Sequence, residues 1–326
     1  GRPILSVATN QRYEGAGQLL GGDAPDQDTL LVLERKRDVS GSITFPVSKW
    51  RYNLALTLGG GLVWEHRELW TTALRESTNY SLTRPTGRLT NARVTLNFNS
   101  SRTHALQMGT ARGVNLFLQG RVKNEMQLPD SLKAVEGMDR SLGEVVGRVR
   151  GAIPLWGGGY AVHVLALQAS GGIASGPGAG PFQYRLGGAS GQLEQLTGLE
   201  LFGGGFLLFP VRGYPPGSRF GRLAWSATAE YRFPLWFINR GFRVWPLHAD
   251  RMIGSLFFDA GNAWGPDLSA SGFQNALRDP LASLGAEITT EMLGLYRARV
   301  RLRVGVALPL TGGGDAVGYV RVGLPF

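Results

Sequence analysis

The sequence predicts an all-β chain folded as a transmembrane antiparallel β-barrel of about twelve strands, with one long loop turned into the lumen. Three observations predict it. Residues alternate in steps of two over unusually long segments, the gaps between segments tend to alternate long and short, and no run of 18 apolar residues offers a helical span.

The alternation is plain from Tyr52 to Trp64. Tyr52, Leu54, Leu56, Leu58, Leu62 and Trp64 share one parity, and Asn53, Ala55, Thr57, Gly59, Gly61 and Val63 fill the other. Leu223–Phe233 sets Leu, Trp, Tyr and Phe against Ser226, Thr228, Glu230 and Arg232. Tyr296–Leu308 sets an apolar parity against Arg297, Arg299, Arg301 and Arg303. Strands that cross a bilayer need about 9–11 tilted residues with one apolar and one polar face. A soluble β-sandwich is the competing reading, but its strands are usually shorter and its apolar faces meet a second sheet. It would also have little use for four arginines aimed from one strand into one space.

In chain order, the predicted strands are 3–13, 29–47, 50–66, 88–99, 111–124, 142–155, 158–171, 220–233, 251–263, 280–290, 295–309 and 316–326. Long gaps fall at 14–28, 67–87, 125–141, 172–219 and 264–279, as extracellular loops would, with mostly shorter ones between. The connections 100–110 and 234–250 are long for periplasmic turns, and 310–315 is short for an outer loop. Pro46, Pro154, Pro234 and Pro325 stand where a ladder should stop. Trp50, Trp156 and Trp236 follow three of these ends as an interfacial girdle would. The final stretch alternates Val320, Val322, Leu324 and Phe326 to a terminal aromatic. It resembles the C-terminal strand signal that assembly machinery reads in outer-membrane barrels.

Composition narrows the class. Of 326 residues 48 are glycine, none is cysteine and only 18% are charged, which excludes disulfide staples, zinc–thiolate sites and a charge-rich disordered chain. The net charge of +10 comes from 30 Arg and 4 Lys against 24 acids.

The longest gap holds Val211-Arg212-Gly213-Tyr214, followed by Pro215-Pro216-Gly217-Ser218. Ala229-Glu230-Tyr231-Arg232-Phe233 and Phe257-Phe258-Asp259-Ala260-Gly261 come next, and five strands follow the loop. These ordered signals over 205–326 resemble the BamA-type superfamily of bacterial surface antigen barrels, with its VRGF/Y loop and F-x-D-x-G strand, here Phe257 to Gly261. The superfamily includes assembly factors and two-partner secretion transporters. The resemblance implies that the loop folds into the lumen and that Arg212 reaches an acid on the inner wall. Asp259 is the first expectation, with Glu230 and Glu287 on inward parities of the flanking strands. Guanidinium suits this because its planar fork binds a carboxylate bidentately. Gly213 would let the loop tip pass close to the wall, and Tyr214 would pack there. Whether such a plug only stabilises the barrel or also gates it stays open at this stage.

The inward parities are basic. Arg93, Arg121, Arg148, Arg150, Arg232, Arg297, Arg299, Arg301, Arg303 and Arg321 stand against Glu65, Glu144, Glu230, Asp259 and Glu287. Such a lumen favours anions or acidic segments, unless the arginines are spent on the acids and the infolded loop. Nucleic acid is not an expected partner, because the basic residues line one strand face. Neither catalysis nor a cofactor or metal is expected. There is no Walker loop, G-x-S-x-G elbow or His-Glu-x-x-His, the four histidines are scattered, and Asp259–Asn262 lacks the ligand series of a calcium loop.

The resemblance implies sixteen strands where about twelve are legible, the shortfall lying before the motif loop. The chain opens without a signal peptide, as a mature, trimmed or tail segment would, and POTRA domains are expected ahead of it in such a family. The expected function is insertion or translocation of proteins at the bacterial outer membrane without nucleotide. Its partners would be outer-membrane lipid, client or secreted proteins and other subunits. A passive pore, or a structural barrel that anchors partner subunits, is the alternative.

Overall fold

The computed structural model describes residues 2–20, 29–71, 86–102, 110–126, 139, 141–157, 162–179, 183–188, 208–241, 247–265, 277–294, 298–312 and 314–323. Seven strands precede the motif loop: β1 (Ile4–Leu20), β2 (Thr29–Lys49), β3 (Tyr52–Thr71), β4 (Thr86–Asn99), β5 (Gly113–Glu125), β6 (Leu142–Pro154) and β7 (Val164–Ser175). Three short strands lie within it: β8 (Tyr184–Leu186), β9 (Leu208–Phe209) and β10 (Arg219–Gly221). Five follow: β11 (Leu223–Gly241), β12 (Leu247–Trp264), β13 (Leu281–Gly294), β14 (Ala298–Pro309) and β15 (Val317–Gly323).

The twelve long strands form one antiparallel sheet in chain order, β7 pairing β11 across the motif loop. The architecture is that of a β-barrel wall, and all twelve predicted strands are present. Among the described residues β1 and β15 are not paired with each other, so the sheet is open at that seam. Most of the long gaps lie at one end of the sheet and most of the shorter turns at the other, but the connection 100–112 at the turn end stays long and 310–316 at the loop end stays short.

Several boundaries differ from expectation, and β1 runs on to Leu20 and β3 to Thr71, into stretches expected as loops. The strand predicted at 158–171 is Val164–Ser175, because pairing with β6 carries it through Gly171 and Gly172. The supposed long turn at 234–250 shrinks, since β11 runs on to Gly241 and β12 begins at Leu247. Pro46 and Pro234 do not stop their ladders: Pro46 pairs with Ala55, and the sheet absorbs Pro234 with a register shift before Trp236. A proline lacks an N–H but is tolerated at a bulge, where that bond is already missing. Pro154 does end β6, and Pro325 lies outside the described residues.

Burial runs opposite to that of a soluble sheet. Leu256 is 52% exposed and Phe258 46%, as are many of their outward neighbours, including Leu284, Ile288, Val304, Val306, Val149 and Leu62. The alternate residues are buried and polar: Glu144, Ser170, Ser226, Glu230, Ser255, Asp259, Ser283, Glu287 and Thr289. An apolar outside around a polar inside is stable only when the surroundings are hydrocarbon. Trp50, Trp156 and Trp236 are exposed at the short-turn end, where indole bridges apolar and wet layers. Trp156 stacks on His163, whose ring nitrogen bonds Tyr231 Oη at 2.7 Å. On this basis Leu256→Arg should destabilise the barrel by about 2–4 kcal/mol, the cost of arginine near the bilayer midplane. Reversible denaturant unfolding in liposomes measures it, and Ser255→Thr on the opposite face should change little.

The core lies inside, at the long-loop end. β8 is the centre of a small second sheet, parallel to β9 and antiparallel to β10. Its Tyr184, Leu186, Phe209 and Val211 pack with Leu142, Val146, Ala174, Ala224, Ala263 and Leu281 of the wall. Gly172 and Gly261 make the seat. A Cβ on Gly172 would lie 3.0 Å from the Tyr184 ring, and one on Gly261 3.0 Å from Leu186 and 3.1 Å from Val211.

Candidate functional site

The tip of the infolded loop is built by its own backbone. Gly188 bridges Val211, its N–H donating to the Tyr214 carbonyl at 2.8 Å, and Gly187 N–H donates to the Phe209 carbonyl at 3.0 Å. Pro210 precedes the motif and Pro215-Pro216 follow it, so the tip enters and leaves on stiff backbone. Gly213 has φ +91°, which costs a side-chain-bearing residue strain, and a Cβ there would sit 3.2 Å from Ala307 Cβ. Val211 is buried against Gly261, which orients Arg212 towards β12.

Arg212 meets Asp259 through three donors. Its Nε donates to Oδ2 at 2.6 Å, its Nη2 to Oδ1 at 2.8 Å, and its backbone N–H to Oδ2 at 3.1 Å. The guanidinium lies over the Phe257 ring, 3.4 Å from its centroid, a cation–π arrangement. Glu230 and Glu287 approach Nη1 at 3.7 and 3.8 Å, from β11 and β13. The structure thus brings Arg212 to all three acids. Arg212 is 5% exposed and Asp259 1%, so both charges are withdrawn from water. Burial pulls the Arg212 pKa down, but the Asp259 hydrogen bond and charge outweigh it and raise the pKa above its ordinary value. The arginine therefore stays cationic.

The flanking acids have their own cations. Arg232 Nε donates to Glu230 at 2.9 Å, and Arg303 Nη1 stands 3.6 Å from Glu287. Three carboxylates and three guanidinium groups thus compensate one another inside the wall, as buried charges must. Tyr319 of β15 donates to Glu287 Oε2 at 2.9 Å, reaching it over Gly305, where a Cβ would lie 2.6 Å from the phenol oxygen. The ring of Phe257 likewise lies over Gly285.

Tyr214 fixes the far side of the tip. Its Oη lies 2.7 Å from the Thr311 carbonyl and 2.8 Å from that of Ala282, donating its single proton between them, and accepts from Thr311 N–H at 3.3 Å. Tyr214→Phe should weaken the seat of the plug by about 1 kcal/mol, the net value of a buried hydrogen bond. A modest rise in protease cleavage of the loop would report it.

Of the predicted lumen stripe, Arg301 and Arg303 face carboxylates, Arg301 Nη2 donating to Glu291 at 2.6 Å. Arg299 is described only as backbone, opposite Leu293, and Arg297 lies outside the described residues. At the C-terminus, Val320 is outward and exposed and Val322 pairs with Leu302 by backbone, whereas Leu324 and Phe326 lie outside the described residues. Sequence reasoning did not single out Tyr319, Gly285, Gly305 or Thr311. Tyr319 shares parity with Arg321, a legible sign of an inward phenol. It also passed over Tyr184, Leu186 and Phe209, whose strands are too short to carry a periodic signal. Among the described residues there is no group of histidine and acidic side chains placed to hold a metal.

An antiparallel wall, apolar outside and polar within, carrying a charged plug held from a loop, defines an integral membrane β-barrel with an occupied lumen. Residues 204–312 match the Omp85 superfamily domain, the stretch from the plug to the turn after β14. Over that stretch the chain is similar to an Omp85-type barrel domain. Among solved structures it is similar to CdiB from Escherichia coli, with 13% identity and a TM-score of 0.50, covering 99% of this chain and 51% of that one. The chain thus spans about half the length of CdiB, and at that identity the likeness concerns the fold. No protein of curated function matches its sequence.

Proposed function

We propose that this barrel inserts or translocates polypeptides at the outer membrane, and that the loop carrying Arg212 is its gate. The observation that supports this most is the Arg212–Asp259 contact: a loop tip tied to the wall by one buried, bidentate charge pair. A plug meant only to fill space is held by apolar packing, and here that packing exists separately around Tyr184 and Phe209. A single charged tie adds a contact that an arriving polypeptide can compete for, because releasing it frees one loop without unfolding a strand. No nucleotide enters this scheme; the energy comes from the client's own binding and folding. In this reading the long loops face outward from the cell, the short turns face the periplasm, and clients arrive from the turn side.

The test is made in the native host, with the natural full-length protein replaced by the Arg212→Ala form at equal abundance. Secreted and outer-membrane proteins are then quantified. Loss of one or more exported or inserted proteins is the expected result. An unchanged surface and secreted proteome would overturn the translocation reading and leave a passive pore or anchoring barrel.

A further inference from the structure

The short-turn end of the wall is uneven in charge. Along β2 to β7 the stretches 45–58, 94–117 and 149–170, which hold the connections at that end and the strand ends beside them, contain no aspartate or glutamate. Lys49, Arg51, Arg102 and Arg112 stand exposed there. Farther round the sheet the same end answers its cation, Arg251 of β12 meeting Asp250 at 2.6 Å and Glu291 at 3.6 Å. Arg102 and Arg112 face each other across a bridge that continues β4 and β5, Arg102 N–H donating to the Arg112 carbonyl at 2.9 Å. Opposite residues of an antiparallel pair hold their Cα atoms about 4.5–5.5 Å apart, and like charges so placed repel. Among the described residues neither guanidinium has a carboxylate partner.

Two further observations give the depth and the room. The Arg102 guanidinium carbon lies 5.5 Å from the centroid of the Trp50 ring, and Trp50 and Trp156 belong to the exposed indole girdle that marks the level of lipid headgroups. Next to that level the wall is apolar and exposed at Val47, Val114 and Ile153, as a surface against hydrocarbon is. Both arginines line a cavity of about 280 Å³, shared with Pro154, Leu155, Trp156 and Val162 around the next connection. Pockets for drug-sized ligands run to roughly 300–1,000 Å³, so the space suits a compact headgroup.

We propose that Arg102 and Arg112 bind the phosphate of an anionic phospholipid in the leaflet on the short-turn side, with its acyl chains along Val114, Ile153 and Leu155. A phosphate offers enough acceptor oxygens for the planar forks of both guanidinium groups, and its charge relieves their repulsion. A headgroup that carries its own cation would meet Arg102, Arg112, Lys49 and Arg51 with no acid beside them, so the ligand is anionic and not zwitterionic. Free phosphate would make the same charged contacts but leave the apolar surface beside them unused. The site is on the outside of the wall, at the end away from the plug, and it does not depend on the translocation reading.

The experiment uses the natural full-length protein in dodecyl maltoside micelles, titrated with dioleoyl phosphatidylglycerol or dioleoyl phosphatidylcholine, and counts retained lipids by native mass spectrometry. Saturable retention of one phosphatidylglycerol, about tenfold tighter than phosphatidylcholine, is expected. The double substitution Arg102→Gln, Arg112→Gln should weaken it about tenfold, to the level of phosphatidylcholine. Arg2→Gln with Arg240→Gln removes the same charge from two other exposed positions at that end and should leave the binding unchanged. Heat-shifted mobility on gels verifies that each variant is folded. Equal affinity for the two lipids, no loss in the Arg102, Arg112 variant, or an equal loss in the Arg2, Arg240 variant overturns the proposal. Displacement of the lipid by inorganic phosphate at the lipid's concentration and constant ionic strength assigns the site to free anions and overturns it equally. No client or export is involved, so failure here is separable from failure of the gate, which the proteome of the Arg212→Ala strain reads.

Discussion

Arg212→Ala leaves a folded barrel with a released plug. The substitution removes both side-chain bonds to Asp259 and the cation over Phe257, leaving Asp259, 1% exposed, with the Arg212 backbone N–H alone of its three donors. Breaking a buried ion pair by deleting one partner costs about 3–5 kcal/mol. The wall itself is held by ladders along twelve strands, so the cost falls on the weakest cooperative unit, the loop with its three short strands. With about 1.4 kcal/mol for each factor of ten, the open plug gains roughly a hundredfold or more in population. Protease should then cut the loop far faster than in wild type, while heat-shifted gel mobility of the barrel persists. Conductance in planar bilayers should rise. Arg212→Lys should recover little of this, because an ammonium cannot bind both carboxylate oxygens in a fork or lie flat on Phe257. Cleavage and conductance equal to wild type would show that apolar packing holds the plug unaided.

Gly285→Leu should have a comparable effect without touching a charge. A Cβ at this position lies 2.5 Å from Phe257 Cζ and against the Val306 carbonyl, so the Phe257 ring must move. That ring is the floor on which the Arg212 guanidinium rests. Forcing a larger side chain into a filled site costs about 1–3 kcal/mol in strain, to which the displaced guanidinium adds. The same readouts apply, and a control follows from the structure. Nothing lies within 4 Å of a Cβ on Gly151, so Gly151→Leu should leave cleavage and conductance unchanged. If Gly285→Leu also left them unchanged, Phe257 would have no part in seating the arginine.

Much of the wall was legible from residues near one another in the chain. A strand declares itself by alternation, and Leu256, Phe257, Phe258 and Asp259 reveal which parity faces lipid before any partner strand is known. The strand predicted at 158–171 slipped because glycines weaken alternation, and the true limits of β7 are set by its pairing with β6. Pro46 and Pro234 were expected to stop ladders, but the neighbouring strands carry the sheet across them.

The sequence by itself determined the β class, the membrane polarity of its faces, the order of the strands and the three acids within range of Arg212. The first three follow from local periodicity and from parity, which survive without knowledge of packing, whereas the acids near Arg212 came from the resemblance, with parity choosing which of them face inward. Only the tertiary structure decided that Asp259 takes both guanidinium arms, that Phe257 lies beneath them, that Tyr319 reaches Glu287 and that Tyr214 bonds Thr311. Arg212 and Asp259 are 47 residues apart and Tyr214 and Thr311 are 97 apart. Such contacts depend on register across several strands and on glycines that leave room for a distant side chain. Neither quantity has a local trace in the chain, because both arise only when the strands have paired into a wall and the loop has seated against it.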